Sequence, residues 1–333
     1  MKYRSLLLIA SLSSLTACGG ASATSTTTTK TALKVGAVYF GEIDKNSWSY
    51  ANDLAIGGAA SSITTISKSQ SITDDANAEL VLEQMAAAGN KIIFATWPGY
   101  NTAVQKVAPK YPKTCFQLAG DPLATPIKNV GTYTMNFNEG RYLTGMAAGA
   151  ATKSGKIGFI ASFPTPEAIS EIDAFTLGAR AMNSEAIVQV TWTATKFDEL
   201  LEQQAAESLI RAGADVIAQS THSQGPGLAA EKNGVNWVGN DVSQPDKAPT
   251  AWLTAPAWQF ATFVGSAISE VRKGTCPTAH YEGTRANKDV QIAEFGPAIA
   301  ESTRADIGKA VPDLSSIAGK TDFIDGVVGS AQG

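Results

Sequence analysis

Two stretches decide the fold: "LEQMAAAGNKIIFATWPG", Leu82 to Gly99, and "AAESLIRAGADVIAQSTH", Ala205 to His222. Each reads as the end of an amphipathic helix, an Ala-Gly turn, an apolar strand and a polar loop. Gly89 and Gly213 stand where a helix C-terminus needs a left-handed residue. Each apolar run is too short for a buried helix and suits a strand covered on both faces. One supersecondary plan is used twice, at a spacing far longer than a solenoid repeat.

The alternation extends on both sides. From Lys34, "KVGAVYF", "ITTISKS", "KIIFATW", "TCFQLAG" and "VGTYTMN" read as strands. Helices fall at Ser47 to about Ser61, Asp75 to Ala88 and Asn101 to Lys110. The pattern then restarts: helices at Gly140–Thr152, Pro166–Met182, Asp198–Arg211 and Gly227–Asn233 separate the strands "KIGFIAS", "AIVQVTW", "DVIAQST" and "NWVGN". Such alternation implies βαβ units and parallel sheets. The reading is an α/β protein of two doubly wound lobes with a cleft between them. Ligands of such sheets bind beyond the carboxyl ends of the strands.

The chain has 333 residues, 17% of them charged, with a net charge of −4, so it carries no basic footprint for a nucleic acid polymer. Its first residues combine Lys2 and Arg4 with the apolar "SLLLIASLSSL". That run falls short of the ~20 residues a spanning helix needs and reads as a secretory signal over residues 1–17. Cys18 follows directly. "GGASATSTTTTKT" comes next; it lacks large apolar residues and reads as a flexible tether over residues 18–33. Cys115 and Cys276 remain. In an oxidising compartment they form either a disulfide or two buried thiols.

Trp48 follows the first strand at the start of a helix, and Phe197 follows "VQVTW" in the second half. A large aromatic is most often core. Matching positions in two repeated halves instead point both rings at the cleft, where an aromatic pair suits a flat π-ligand. Asp44, Asn46, Asn136, Asn138, Asp198 and Asp241 lie at strand ends or helix starts. Most such residues are caps, and Asp198 has that look. Asp241 begins no evident helix and can accept from an amine or ring N–H. Trp97, in "TWPGYN", is either a cleft residue or a loop anchor. His222 lies at a strand end where it can face the cleft.

No catalytic constellation assembles. The two histidines, His222 and His280, have no metal-ligand spacing, and there is no nucleophile elbow or phosphate-binding loop. A hydrolase built on Ser220 or Ser223 with His222 is the enzymatic alternative. The expectation is a binding protein without catalytic residues, metal or cofactor.

The N-terminal segment ending in Cys18 resembles a bacterial lipobox, in which the cysteine carries lipid. With it, "AVYFGEIDKNSW", "NEGRYLTGMAAG", "KIGFIASFP", "AFTLGARAMN", "TKFDELLEQQAAESLIRAGADVIAQ" and "GNDVSQ" together resemble the basic membrane protein (BMP) family. The resemblance runs from about Lys34 to about Ala310. It implies substrate-binding lipoproteins of ABC transporters with the type I periplasmic-binding-protein fold, several of which take purine nucleosides or nucleobases. It further implies that Trp48 and Phe197 sandwich the base and that Asp241 holds a ribose. Where nucleoside binders carry a lysine, "LTAPAW" has Trp258, so a free, adenine-like base is expected over a nucleoside.

The resulting expectation is a monomeric, lipid-anchored protein facing the periplasm or cell exterior. It captures a purine-type ligand with Trp48, Phe197, Asp241, Asn46, Trp97, Asn136, Trp258 and His222, and delivers it to an ABC permease. A sensor signalling to a membrane partner is the alternative. One lobe is expected over residues 34–137 and 257–282, the other over residues 138–256 and 283–320, with a tail over residues 321–333. The chain is expected to cross between them near Asn136–Asn138, Thr254–Pro256 and Tyr281–Thr284. A helix from Trp258 to Lys273 is expected to bring Cys276 back to Cys115.

Overall fold

A computed structural model of the protein describes residues 33–59, 64–72, 76–195, 197–311, 314 and 324–325. The expected leader, Cys18, nearly all of the tether and most of the C-terminal tail lie outside the described residues.

The first half of the chain runs β1 (Leu33–Val38), α1 (Ser47–Ala59), β2 (Thr64–Ser69), α2 (Ala76–Ala87), β3 (Ile92–Ala95), α3 (Asn101–Val107), β4 (Cys115–Ala119) and β5 (Val130–Met135). The second half runs α4 (Phe137–Ala151), β6 (Lys156–Ala161), α5 (Pro166–Met182), β7 (Ile187–Trp192), α6 (Glu199–Arg211), β8 (Val216–Gln219), α7 (Gly225–Asn233), β9 (Asn236–Val238) and β10 (Trp252–Thr254). The chain ends in β11 (Pro256–Trp258), α8 (Ala261–Arg272), β12 (Tyr281–Gly283), β13 (Val290–Ile292), α9 (Glu301–Lys309) and β14 (Ile324–Asp325).

Two parallel sheets result, ordered β12-β5-β4-β3-β1-β2 and β10-β9-β8-β6-β7-β14. The second order repeats the first with β6 in the place of β1, β8 in that of β3 and β7 in that of β2. The two-lobed α/β expectation is met. In each sheet the strand order reverses at one point, between β1 and β3 and between β6 and β8.

Side-chain alternation explains why each sheet is covered on both faces. Val35 and Ala37 of β1 face a core with α1 and α8, whereas Val38 faces one with α2 and α3. Ile157 and Phe159 of β6 face α4 and α5, and Ile160 faces α6 and α7. Lys34-Val35-Gly36 and Lys156-Ile157-Gly158 are the same phrase at the same sheet position. A Cβ on Gly36 would lie 2.9 Å from Met85 Sδ, and one on Gly158 2.9 Å from Leu209 Cβ. Each glycine therefore admits the helix that follows the next strand. Gly89 and Gly213 have φ of +85° and +100°, the left-handed conformation expected at the helix ends.

The chain passes between the sheets at Asn136, at Ala255 and between β12 and β13. These passages are tied together: Asn136 N donates to Gly283 O at 2.7 Å and Ala293 N to Ala255 O at 2.9 Å. Here the sequence expectation needs correction. Trp258 does not open a helix; it ends β11, which pairs antiparallel with β13 in a separate two-stranded sheet, and α8 starts only at Ala261. The crossing strand satisfies its backbone against its neighbour rather than within a helical turn. α8 then packs on α1, its Phe263, Val264 and Ile268 buried in the core that holds Ile56 and Phe94. Cys115 and Cys276 form a disulfide with Cα atoms 5.6 Å apart. No helix among the described residues is long and apolar enough to cross a membrane.

Candidate functional site

A cavity of about 390 Å³ lies where the strand order of both sheets reverses. Its wall comes from segments beyond the carboxyl ends of β1 (Trp48), β3 (Trp97, Pro98), β6 (Ser162, Phe163, Thr165), β8 (Ser220, His222) and β9 (Asn240, Asp241). Phe137 and Arg141 of α4 and Glu167, Ala168 and Glu171 of α5 complete it.

The aromatic side chains are held by neighbours. Trp48 is in the first turn of α1 and only 6% exposed. Its indole Nε1 donates to Thr96 O at 2.5 Å, and its ring meets Phe260 edge-on at 5.4 Å. Trp97 stacks on Phe40 at 4.6 Å. Phe137 meets Trp258 edge-on at 5.0 Å. Rings fixed in this way lose little further freedom when a ligand stacks on them.

Asp241 is the electrostatic centre. It is buried, and its φ of +66° is uncommon for a non-glycine residue. Oδ2 accepts from Ser47 Oγ at 2.5 Å and from His222 Nδ1 at 2.7 Å; Oδ1 accepts from Trp258 Nε1 at 2.8 Å. Burial alone would raise the Asp241 pKa, but the His222 ring and these donors hold it below the usual carboxylate range. Burial alone would lower the His222 pKa, but the Asp241 carboxylate and, farther off, Glu202 raise it above its ordinary value against Arg141. With Asp241 ionised, His222 presents its Nδ1 hydrogen to it.

The same residues join the two lobes. Ser47 N donates to His222 O at 2.9 Å, and Gln224 Nε2 to Asp44 O at 3.2 Å. The buried Arg141 guanidinium gives Nε to Glu171 at 2.8 Å and Nη1 to Gln219 O at 3.0 Å. A positive charge in the wall is thus already paired.

Of the residues expected from sequence, Trp48, Trp97, His222 and Asp241 line this cavity, and Phe197, Trp258, Asn46 and Asn136 do not. Phe197 follows β7, the counterpart of β2, one strand away from the reversal; the counterpart of the Trp48 segment follows β6, and Phe163 is the aromatic there. Trp258 does not fill space in the cavity but donates to Asp241 from behind. Asn46 works on its own helix, Oδ1 accepting from Ser49 N at 2.9 Å. Asn136 lines an adjoining cavity of about 750 Å³ that shares Pro98, Phe137, Glu167 and Glu171 with the first. Asp198 caps α6, accepting from Leu201 N at 2.9 Å. Phe137, Arg141, Phe163 and Asn240 went unread. Aligning the two Lys-x-Gly phrases would have found Phe163; nothing local marks Arg141.

The Bmp family model, described as ABC transporter substrate-binding protein PnrA-like, matches residues 32–287, and the chain belongs to this family. It is similar to a purine-binding protein of Brucella abortus, 33% identical over 246 residues, 73% of this chain and 70% of that protein. It is also similar to a putative ABC transporter glucose-binding protein of Haloferax volcanii, 31% identical over 268 residues, 80% of this chain and 68% of that one. A solved ABC transporter solute-binding protein from Conexibacter woesei shares the fold with a TM-score of 0.72 at 21% identity, covering 85% of this chain and 99% of that chain. The protein is an ABC transporter substrate-binding protein.

Proposed function

We propose that the protein captures a purine-type base, adenine-like in preference to its nucleoside, and passes it to an ABC importer from a lipid anchor on Cys18 outside the cytoplasm. The observation that carries this reading is the set of aromatic side chains from both lobes, Trp48, Trp97, Phe137 and Phe163, around one cavity at the strand-order reversal. Stacking contributes roughly 1–3 kcal/mol per base. The resemblance between this chain and a purine-binding protein supports the same ligand class.

What supports base over nucleoside is how Asp241 is spent. A ribose would need free acceptors and donors, but both Asp241 oxygens already accept from Ser47, His222 and Trp258. The glucose-binding name of the Haloferax relative gives the second reading, a hexose stacked on the same rings. A hexose needs hydrogen bonds to most of its hydroxyls, whereas in this wall Arg141 is engaged with Glu171 and Gln219 O, and Asp241 with the Ser47, His222 and Trp258 side chains.

A thermal-shift panel of adenine, guanine, adenosine, inosine, riboflavin and glucose tests the ligand class. Stabilisation by adenine is expected, because a ligand of the native state raises its stability. Stabilisation by glucose alone would replace the reading with the second one. Labelled lipid should enter the native chain in cells and fail to enter Cys18→Ser.

A further inference from the structure

Asn240 lines the cavity and carries a buried, unmet side-chain acceptor. It is 2% exposed and follows β9 directly beside Asp241. Its Nδ2 donates to Thr221 O at 3.0 Å and lies 3.5 Å from His222 Nδ1. A backbone carbonyl can only accept, so the Thr221 contact fixes which amide atom is nitrogen. The other atom, Oδ1, has no hydrogen-bond partner among the described residues. His222 cannot supply one from Nδ1, whose hydrogen goes to Asp241. Among the described wall residues, Asn240 alone combines a buried side-chain acceptor with the lack of a partner.

A buried carbonyl oxygen without a donor is costly, and a ligand that brings a hydrogen to it offsets that cost. We propose that Asn240 Oδ1 accepts a hydrogen bond from an N–H of the bound base, the exocyclic amine in a 6-aminopurine, and thereby selects amino-bearing purines over rings that lack this donor. The inference rests on the base-binding reading and adds a residue and a rule of selection to it. The chemistry is asymmetric. Stacking accepts any flat ring, whereas a buried acceptor penalises every ring that brings no hydrogen to it. Asn240 is thus a specificity-determining residue distinct from the Trp48 and Phe163 faces.

The test is a two-by-two titration of the folded protein and Asn240→Ala with adenine and with unsubstituted purine, which keeps the ring and replaces the amine by hydrogen. The native protein should bind adenine about 5- to 150-fold more tightly than purine. In Asn240→Ala, adenine should weaken by a similar factor and purine should barely change, so that the ratio falls towards one. An unchanged ratio, or equal weakening of both ligands, would assign Asn240 a purely structural role and overturn the proposal. Equal affinity of the native protein for adenine and purine overturns it without any variant, so a misfolding substitution does not shield it. Binding of neither base, with binding of glucose, is a different result: it removes the base-binding reading itself and the proposal with it.

Discussion

Ser47 Oγ and Asp241 Oδ2 lie 2.5 Å apart, joining the first turn of α1 in one lobe to the segment after β9 in the other. Asp241 also receives Trp258 from the crossing strand β11 and His222 from the segment after β8. One carboxylate therefore collects donors from both lobes and from the connection between them.

Replacing that carboxylate strands all its partners. Asp241→Ala leaves the Ser47 hydroxyl, the His222 ring and the Trp258 indole without their acceptor, at an expected cost of about 3–5 kcal/mol in unfolding free energy. Trp258→Phe removes one donor to a charged group and should cost about 1.5–3 kcal/mol. Urea unfolding of both variants checks the order. A Trp258→Phe protein as unstable as Asp241→Ala would mean that indole packing, not the shared carboxylate, dominates.

The His222–Asp241 pair makes stability depend on pH. Burial opposes both charges, but each partner overrides it for the other, so His222 titrates above and Asp241 below its ordinary range. The raised His222 contributes fully below about 6.5, its unfolded value, and loses that contribution as pH rises through the folded value. The lowered Asp241 contributes fully above about 3.9 and loses it as pH falls through the folded value. The pair should therefore stabilise most between about pH 3.9 and 6.5. Denaturation followed from within this range to higher pH should show a decline above about pH 6.5 that His222→Gln lacks. The same decline in both proteins would place its origin elsewhere.

The aromatic walls can be told apart by substitution. Trp48→Ala and Phe163→Ala should each weaken ligand binding by at least about fivefold, roughly 1 kcal/mol. Phe197→Ala should leave affinity within about twofold, since Phe197 lies outside the cavity. A large loss on Phe197→Ala with none on Phe163→Ala would reverse the assignment.

The disulfide closes a long loop, Cys115 and Cys276 being 161 positions apart in the sequence. Joining them restricts the unfolded chain and should stabilise by about 2–4 kcal/mol. The Cys115→Ser, Cys276→Ser protein should unfold at correspondingly lower denaturant with its fold retained, because the strand and helix cores do not depend on the bridge. Unchanged stability would mean that the bond does not form in solution.

The two lobes were legible because each local signal agreed with the next. Apolar runs, Pro166 at a helix start, and Gly89 and Gly213 at helix ends all specify the same elements. The site was only partly legible. Trp48 and Trp97 follow central strands, and a strand end is visible in sequence. Phe197 lies outside this cavity: a strand end says nothing about where its strand lies in the sheet, and β7 sits on the outer side of β6. Trp258 was misread as a helix start. The short crossing strand β11 takes its partner from β13, far along the chain, and no local pattern announces that pairing. Asn240 was hidden because an unmet hydrogen bond exists only once the surroundings are placed.

The cavity at the strand-order reversal is proposed to take a purine base rather than a nucleoside or a sugar. Calorimetric titration of the purified protein with adenine, adenosine and glucose under one set of conditions tests it most directly. Saturable binding of adenine, weaker binding of adenosine and none of glucose are expected, with adenine affinity reduced at least about fivefold by Trp48→Ala. Tighter binding of adenosine than of adenine, or adenine affinity untouched by Trp48→Ala, would contradict it.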